Sequence, residues 1–279
     1  MSNFLRTMAA GSAERAASIG SFSAEDFDLP VARLDLGTFD LVAEIKECSP
    51  SEGMLAPQSG SRTERARQYV QGGAAAISVL TEPSRFGGDI SHLREVAEAV
   101  SGSGVPVMRK DFLVDRRQIA ESRAAGASGV LLIAAILSDA KLAEMLDCAF
   151  EHSLFVLLEA FDENDVARSR RLLKIARFTE KALVNELLLG VNSRNLRTLE
   201  VDSTRLARLI PTLPNGAIAV AESGLRNAVD AALVASLGYR AALVGTALMR
   251  DENPSALIAD MLVAGRASAA ERQGMASSL

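Results

Sequence analysis

Eight apolar runs, at residues 41–45, 74–80, 105–108, 129–135, 154–158, 187–191, 217–221 and 241–244, alternate with stretches of helical periodicity. A repeated strand-then-helix unit re-enters the sheet from the same end each time, so its strands must run parallel. The helix-to-strand junctions also repeat: Gly73-Ala-Ala-Ala-Ile, Gly104-Val-Pro-Val-Met, Gly126-Ala-Ser-Gly-Val and Gly238-Tyr-Arg-Ala-Ala each place a glycine where a helix must close. Several runs are apolar on both faces, which suits strands covered by helices outside and by packed side chains inside. Eight such units in 279 residues most simply close into a single α/β domain, a (β/α)8 TIM barrel. A doubly wound open sheet is the other arrangement, but the first turn lacks the G-x-G-x-x-G of a dinucleotide fold.

The barrel is expected over residues 41–265, with 266–279 as a carboxyl-terminal tail. Residues 1–40 are rich in Ala, Ser, Gly and acidic residues and hold no convincing strand. Within them Asn3 to Ala17 reads as a helix, with Leu5, Met8 and Ala9 near one face, and 20–36 as loop. This segment is expected to pack on the barrel as an amino-terminal extension.

A barrel of this type carries its active site at the carboxyl ends of its strands, and here those ends are polar. Side chains alternate along a strand, so in Ala43-Glu-Ile-Lys-Glu-Cys-Ser the acid Glu44 and the base Lys46 share one face. One such pair is most simply a solvated ion pair. Its recurrence argues for a site: later runs end in Arg109-Lys110-Asp111, Glu159, Asn192-Ser193-Arg194, Glu222-Ser223-Gly224 and Gly245-Thr246. The phase agrees, because Met108, Lys110 and Phe112 share a face, as do Phe155, Leu157 and Glu159, and Gly190, Asn192 and Arg194. Ser223-Gly224 and Gly245-Thr246 close the last two units, the usual phosphate site of such barrels, where glycines admit the backbone and hydroxyls add donors. Ser49 and Arg194 are expected close to that anion.

Composition narrows the partners. A net charge of -5 with no long basic run argues against a nucleic-acid or membrane-surface binder, while leaving room for a small anionic ligand. Cys48 and Cys148 are the only cysteines and His92 and His152 the only histidines, without C-x-x-C or metal-ligand spacing. No metal is expected, and Cys48, with no base at triad spacing, reads as a small loop residue. There is no apolar segment behind a basic start and no run near the ~20 apolar residues of a membrane span, so a cytoplasmic protein is expected. It is expected to be a monomer or weak homodimer.

Seven segments together resemble the indole-3-glycerol phosphate synthase family: AEIKECSPSEG from Ala43, PVMRKDFLVD from Pro106, GVLLIAAIL from Gly129, LLEAF from Leu157, GVNSRNL from Gly190, VAESGL from Val220 and LVGTALMR from Leu243. The resemblance implies a phosphate-binding barrel that converts 1-(2-carboxyphenylamino)-1-deoxyribulose 5-phosphate into indole-3-glycerol phosphate, releasing carbon dioxide and water, with no cofactor. It further implies Lys110 as general acid for ring closure and Glu159 as proton acceptor or carbocation stabiliser. Lys46 would hold the substrate carboxylate and assist dehydration, and Glu44 and Asn192 would orient lysines and substrate hydroxyls. Phe86, Phe112 and Leu131 would pack around the aromatic ring, and Glu222 would contact substrate beside Ser223. The stretch Arg170–Glu186 is longer than the family pattern and reads as an enlarged helix or an added turn.

Other readings share the barrel. An isomerase of the phosphoribosylanthranilate type would be expected to use a cysteine and aspartate or metal-binding histidines, which the EIK and RKDF segments speak against. A non-catalytic phosphometabolite binder should have lost one of Lys46, Lys110 and Glu159, and all three are present. A paralogue acting on a substituted substrate has the same residues.

Overall fold

In the computed structural model, which describes residues 3–49, 53–55, 61–194 and 201–276, eight parallel strands close on themselves. They are β1 (Asp40–Ile45), β2 (Ala76–Leu80), β3 (Val107–Lys110), β4 (Gly129–Ile133), β5 (Phe155–Ala160), β6 (Leu187–Asn192), β7 (Ile218–Glu222) and β8 (Ala241–Val244). Each pairs with its neighbours in sequence, and β1 meets β8 in the register Asp40↔Ala241 to Ala43↔Val244.

The helices in chain order are α1 (Asn3–Ala17), α2 (Arg62–Gln71), α3 (Pro83–Phe86), α4 (Ile90–Val100), α5 (Arg116–Ala124), α6 (Asp139–Glu151), α7 (Glu163–Leu172), α8 (Ala176–Leu183), α9 (Ser203–Leu209), α10 (Ala228–Leu237), α11 (Thr246–Arg250) and α12 (Pro254–Ala276). Their starts are set by side chains: Ser61, Asp89, Asp115, Ser138, Asp162 and Asn227 each accept a bond from a first-turn N–H. No helix among the described residues is long and apolar enough to cross a membrane.

Every barrel-strand residue except Lys110 is buried. Alternate positions fill different cores. Val42, Met108, Leu131, Leu157, Leu188, Val220 and Leu243 belong to the cluster inside the barrel. Leu41, Ile77, Val107, Val130, Val156, Leu189 and Ala221 pack outward with the helices. Burial on both faces is why the runs read as continuously apolar.

Residues 3–39 touch both ends of this barrel. At the carboxyl end α1 buries Leu5, Met8, Ser12 and Ala16, Gln118 Nε2 donates to Ser12 Oγ at 2.8 Å, and Arg15 pairs with Asp111 at 2.7 Å. At the amino end the Ala32 N–H donates to Ser128 Oγ at 2.9 Å and Arg240 Nη2 to the Gly37 carbonyl at 2.8 Å. Ser128 and Arg240 immediately precede β4 and β8, and Leu34 and Leu36 join the interior cluster there.

Local differences from the sequence reading have plain causes. β3 begins at Val107 and not at 105, because Pro106 has no N–H to give the ladder. The stretch Arg170–Glu186 is neither an enlarged helix nor a bare turn: α7 ends at Leu172 and the separate helix α8 follows, anchored by fully buried Phe178. A two-residue antiparallel hairpin, Cys48–Ser49 with Gly53–Met54, stands in the loop after β1, too short to leave a pattern in sequence. Helix α12 continues without a break across residue 265.

Candidate active site

The carboxyl ends of the strands surround a cavity of about 870 Å³. Each residue given a catalytic or substrate-binding role from the sequence lines it: Glu44, Lys46 and Ser49 after or on β1, Phe86 on α3, Lys110 and Phe112 at β3, Leu131 on β4, and Glu159 on β5. Asn192 and Arg194 reach it from β6, Glu222, Ser223 and Gly224 from β7, and Gly245 and Thr246 from β8.

Lys110 is the centre of a buried charge cluster. Its Nζ lies 3.1 Å from Glu159 Oε2 and 3.0 Å from Glu222 Oε2, and the two carboxylate side chains are 3% and 1% exposed. Three strands supply these groups, so the cluster exists only in the closed barrel. Burial works against the ammonium, but Glu159, Glu222 and Glu44 outweigh it and hold the Lys110 pKa above the ordinary lysine range. Burial also pushes the Glu222 carboxyl up to about 8, against the pull of Lys110 and with the Glu159 charge adding to the rise. Glu222 Oε1 is buried with no hydrogen-bond partner among the described residues. It fits because residue 190 is glycine, where a Cβ would collide with that oxygen.

A second pair stands beside it. Lys46 Nζ is 2.7 Å from Glu44 Oε1, the shared face that strand alternation predicts. The Glu44 carbonyl accepts the hydroxyl of fully buried Tyr69 at 3.3 Å. A side chain at Gly245 would collide with the Glu44 carboxylate and crowd Lys46 Nζ, so the bare backbone after β8 makes room for this pair.

The remaining walls divide by chemistry. One is aromatic: the Phe112 ring centroid lies 6.3 Å from that of Phe86 and 6.0 Å, edge-on, from that of Phe4. The other is small and polar, formed by Ser223-Gly224 and Gly245-Thr246. There Ser223 is held in the left-handed region at φ 70, directly before Gly224 at φ 87, a conformation uncommon for serine that needs outside support. Ser193 Oγ supplies it by donating to the carbonyls of Glu222 and Ser223 at 3.1 and 3.0 Å. Asn192 Oδ1 accepts the Arg194 N–H at 2.9 Å.

Polar strand ends are not equivalent, however. Arg109 and Asp111 flank Lys110 yet are spent on structure. Asp111 accepts from Arg15, Arg109, Thr81 and the Phe112 N–H, and Arg109 also reaches Glu121 at 2.7 Å. The sequence reading missed Phe4, Leu80, Ile133, Val201, Leu243 and the arginines Arg226 and Arg250 as lining residues. Phe4 was within reach, since it precedes Leu5 and lies four residues before Met8 on the predicted helix. Cys48 is a free thiol on the hairpin, its Sγ 3.5 Å from the Arg85 carbonyl.

Comparison with known proteins gives a consistent result. The family model described as indole-3-glycerol phosphate synthase matches residues 24–261. The indole-3-glycerol phosphate synthase of Nocardioides sp. is 44% identical over 221 residues, covering 79% of this chain and 79% of that protein. That of Parafrankia sp. is 43% identical over 225 residues, covering 81% and 78%. Among solved structures, 3-hexulose-6-phosphate synthase from Salmonella typhimurium has a TM-score of 0.61 at 14% identity, covering 84% of this chain and 100% of that one. Thiamine phosphate pyrophosphorylase from Pyrococcus furiosus has 0.59 at 15%, covering 83% and 97%. At such identities these two show the barrel fold alone.

Proposed function

The chain belongs to the indole-3-glycerol phosphate synthase family, and on that premise we propose that its cavity acts as a carboxy-lyase of tryptophan biosynthesis on 1-(2-carboxyphenylamino)-1-deoxyribulose 5-phosphate. The observation that carries the reading is one ammonium, Lys110, held between two buried carboxylates in a cavity with an aromatic wall on one side and a Ser-Gly/Gly-Thr wall on the other. The substrate has an aryl ring, a ketone to be protonated and a phosphate, and each finds a matching wall.

In the first step the ring carbon bearing the carboxylate attacks the ketone carbon while the ketone oxygen takes a proton from Lys110. The surrounding carboxylates keep Lys110 charged, so the proton is present when needed. Breaking the bond to the carboxylate returns its electron pair to the ring and releases carbon dioxide. Glu159, beside Lys110, stabilises the cationic intermediate electrostatically. In the second step the new hydroxyl leaves as water with a proton from an acid, and loss of a proton from the adjoining carbon completes the indole. Lys46, paired with Glu44, assists that departure after holding the substrate carboxylate, and Glu222, whose carboxyl burial raises above the ordinary range, is a second group able to exchange a proton within the same cluster. Asn192 orients the sugar hydroxyls, and Ser49, Arg194, Ser223, Gly224, Gly245 and Thr246 grip the phosphate.

The test is incubation of purified protein with the carboxyphenylamino-deoxyribulose phosphate. Indole fluorescence should rise with one equivalent of carbon dioxide released per indole, and absence of both would overturn the assignment.

A further inference from the structure

Helix α2 carries two buried polar side chains that the reaction does not use. Arg65, 8% exposed, donates from Nη1 to the Leu248 carbonyl at 3.2 Å and the Asp251 carbonyl at 2.8 Å. These carbonyls lie at the carboxyl-terminal end of α11, whose first residue, Thr246, lines the cavity with Ala247 and Arg250. One turn further along the same face of α2, Tyr69 donates its hydroxyl to the Glu44 carbonyl and lies 3.5 Å from Met249 Sδ. The two side chains therefore join α11 to β1, which bears Glu44 and leads directly into Lys46.

A buried guanidinium is costly unless its hydrogen bonds are met, and an aliphatic side chain would fill an outer-layer helix position without that cost. What Arg65 supplies in return is a cation on carbonyls that a helix end leaves unsatisfied. Helix α11 has only five residues and its amino-terminal Gly245 offers no side-chain cap. A helix this short does not hold its shape alone. It is held by burial of Leu248 and Met249 and by Arg65.

We propose that Arg65 is a positioning residue for the phosphate end of the cavity: by holding the last carbonyls of α11 it fixes where Gly245 and Thr246 meet the substrate. The proposal rests on the reading of that wall as the phosphate grip. It places the effect of Arg65 on binding and not on the proton transfers, which belong to groups on other strands.

Arg65→Met keeps much of the buried stem and removes the charge and both donated bonds. It should raise KM about 10-fold with kcat within about 3-fold of wild type, a split a general loss of folded protein would not give. The dissociation constant of inorganic phosphate, measured by calorimetry on the full chain, should weaken by a similar factor. Arg65→Lys, which retains a cation able to reach one carbonyl, should recover most of the loss. Unchanged phosphate affinity in Arg65→Met, even with a lowered Tm, would make Arg65 a plain structural bolt and end the proposal; so would a fall in kcat at constant KM. If Arg65→Met does not fold, Arg65→Lys alone should weaken phosphate about 3-fold, and wild-type affinity there overturns it. The calorimetric measurement needs no turnover, so a wild type that binds phosphate but makes no indole would refute the assigned reaction and leave the clamp standing.

Discussion

Lys46 and Lys110 enter one cavity with nearly equal exposure, 13% and 15% of their side chains, but in different company. Among the described residues Lys46 meets one carboxylate, that of Glu44 on the strand it follows, whereas Lys110 meets two, brought from β5 and β7. A one-to-one pair is neutral, and either partner can be lent to a substrate group without leaving a large uncompensated charge. One ammonium between two carboxylates carries an excess of negative charge in a dry place, and burial, with the Glu159 charge adding to it, pushes the Glu222 carboxyl up to about 8. The difference separates a group suited to holding and assisting from a group suited to supplying protons.

The largest effect expected from this contrast is on turnover. Lys110→Met should lower kcat by about 100- to 10,000-fold, the range for loss of a general acid, with KM much less changed and Tm lowered, because Glu159 and Glu222 are left buried without their counter-charge. Lys46→Met should cost less in kcat and show part of its effect in KM. Equal losses in kcat at constant KM would erase the distinction, and turnover of Lys110→Met within a few-fold of wild type would remove it from the mechanism. Next comes Thr246→Asp, which sets a negative charge at the wall proposed to hold the phosphate, away from Lys110; KM should rise roughly 10- to 100-fold with kcat little changed, and an unchanged KM would move the phosphate elsewhere. Phe4→Ala should raise KM about 5-fold through lost aromatic contact; a normal KM would make Phe4 a bystander. The smallest effect tests the cluster without substrate. A carboxyl raised from 4.5 to about 8 gives stability that is complete below about pH 4.5 and is lost as the pH climbs through about 8. Glu222→Gln should flatten the fall of Tm across that window by a few degrees, and parallel Tm–pH curves for the two proteins would show that Glu222 ionises normally.

Local information accounts for what was readable in the chain. The eight runs, the inward phase of Glu44 and Lys46, and the polar endings of β5 to β8 depend on spacing of one or two residues, and alternation along a strand fixes them. Partnerships across the barrel do not show in that way. Nothing near Lys110 in sequence announces Glu222, 112 residues away, or that Asp111 would be taken up by Arg15 at a separation of 96. Phe4 escaped for a related reason: its spacing only marks it as a neighbour of Leu5 and Met8, while the ring it packs against, Phe112, comes from a distant loop. The hairpin after β1 and the independent helix α8 are set by tertiary context more than by propensity.

The seam between β1 and β8 bears on how the protein comes to be active. Leu41 pairs with Ala242, about 200 residues along the chain, so this is among the most non-local contacts in the fold, of the kind that slows folding through loop-closure entropy. Glu44 and Lys46 stand at the end of one edge of that seam and the side-chain-free Gly245 at the end of the other. A chain emerging from the ribosome thus carries its Glu44–Lys46 pair long before the last strand exists to complete its surroundings. Helices and early strands can form in the meantime, but catalytic competence waits for the ends of the barrel to meet.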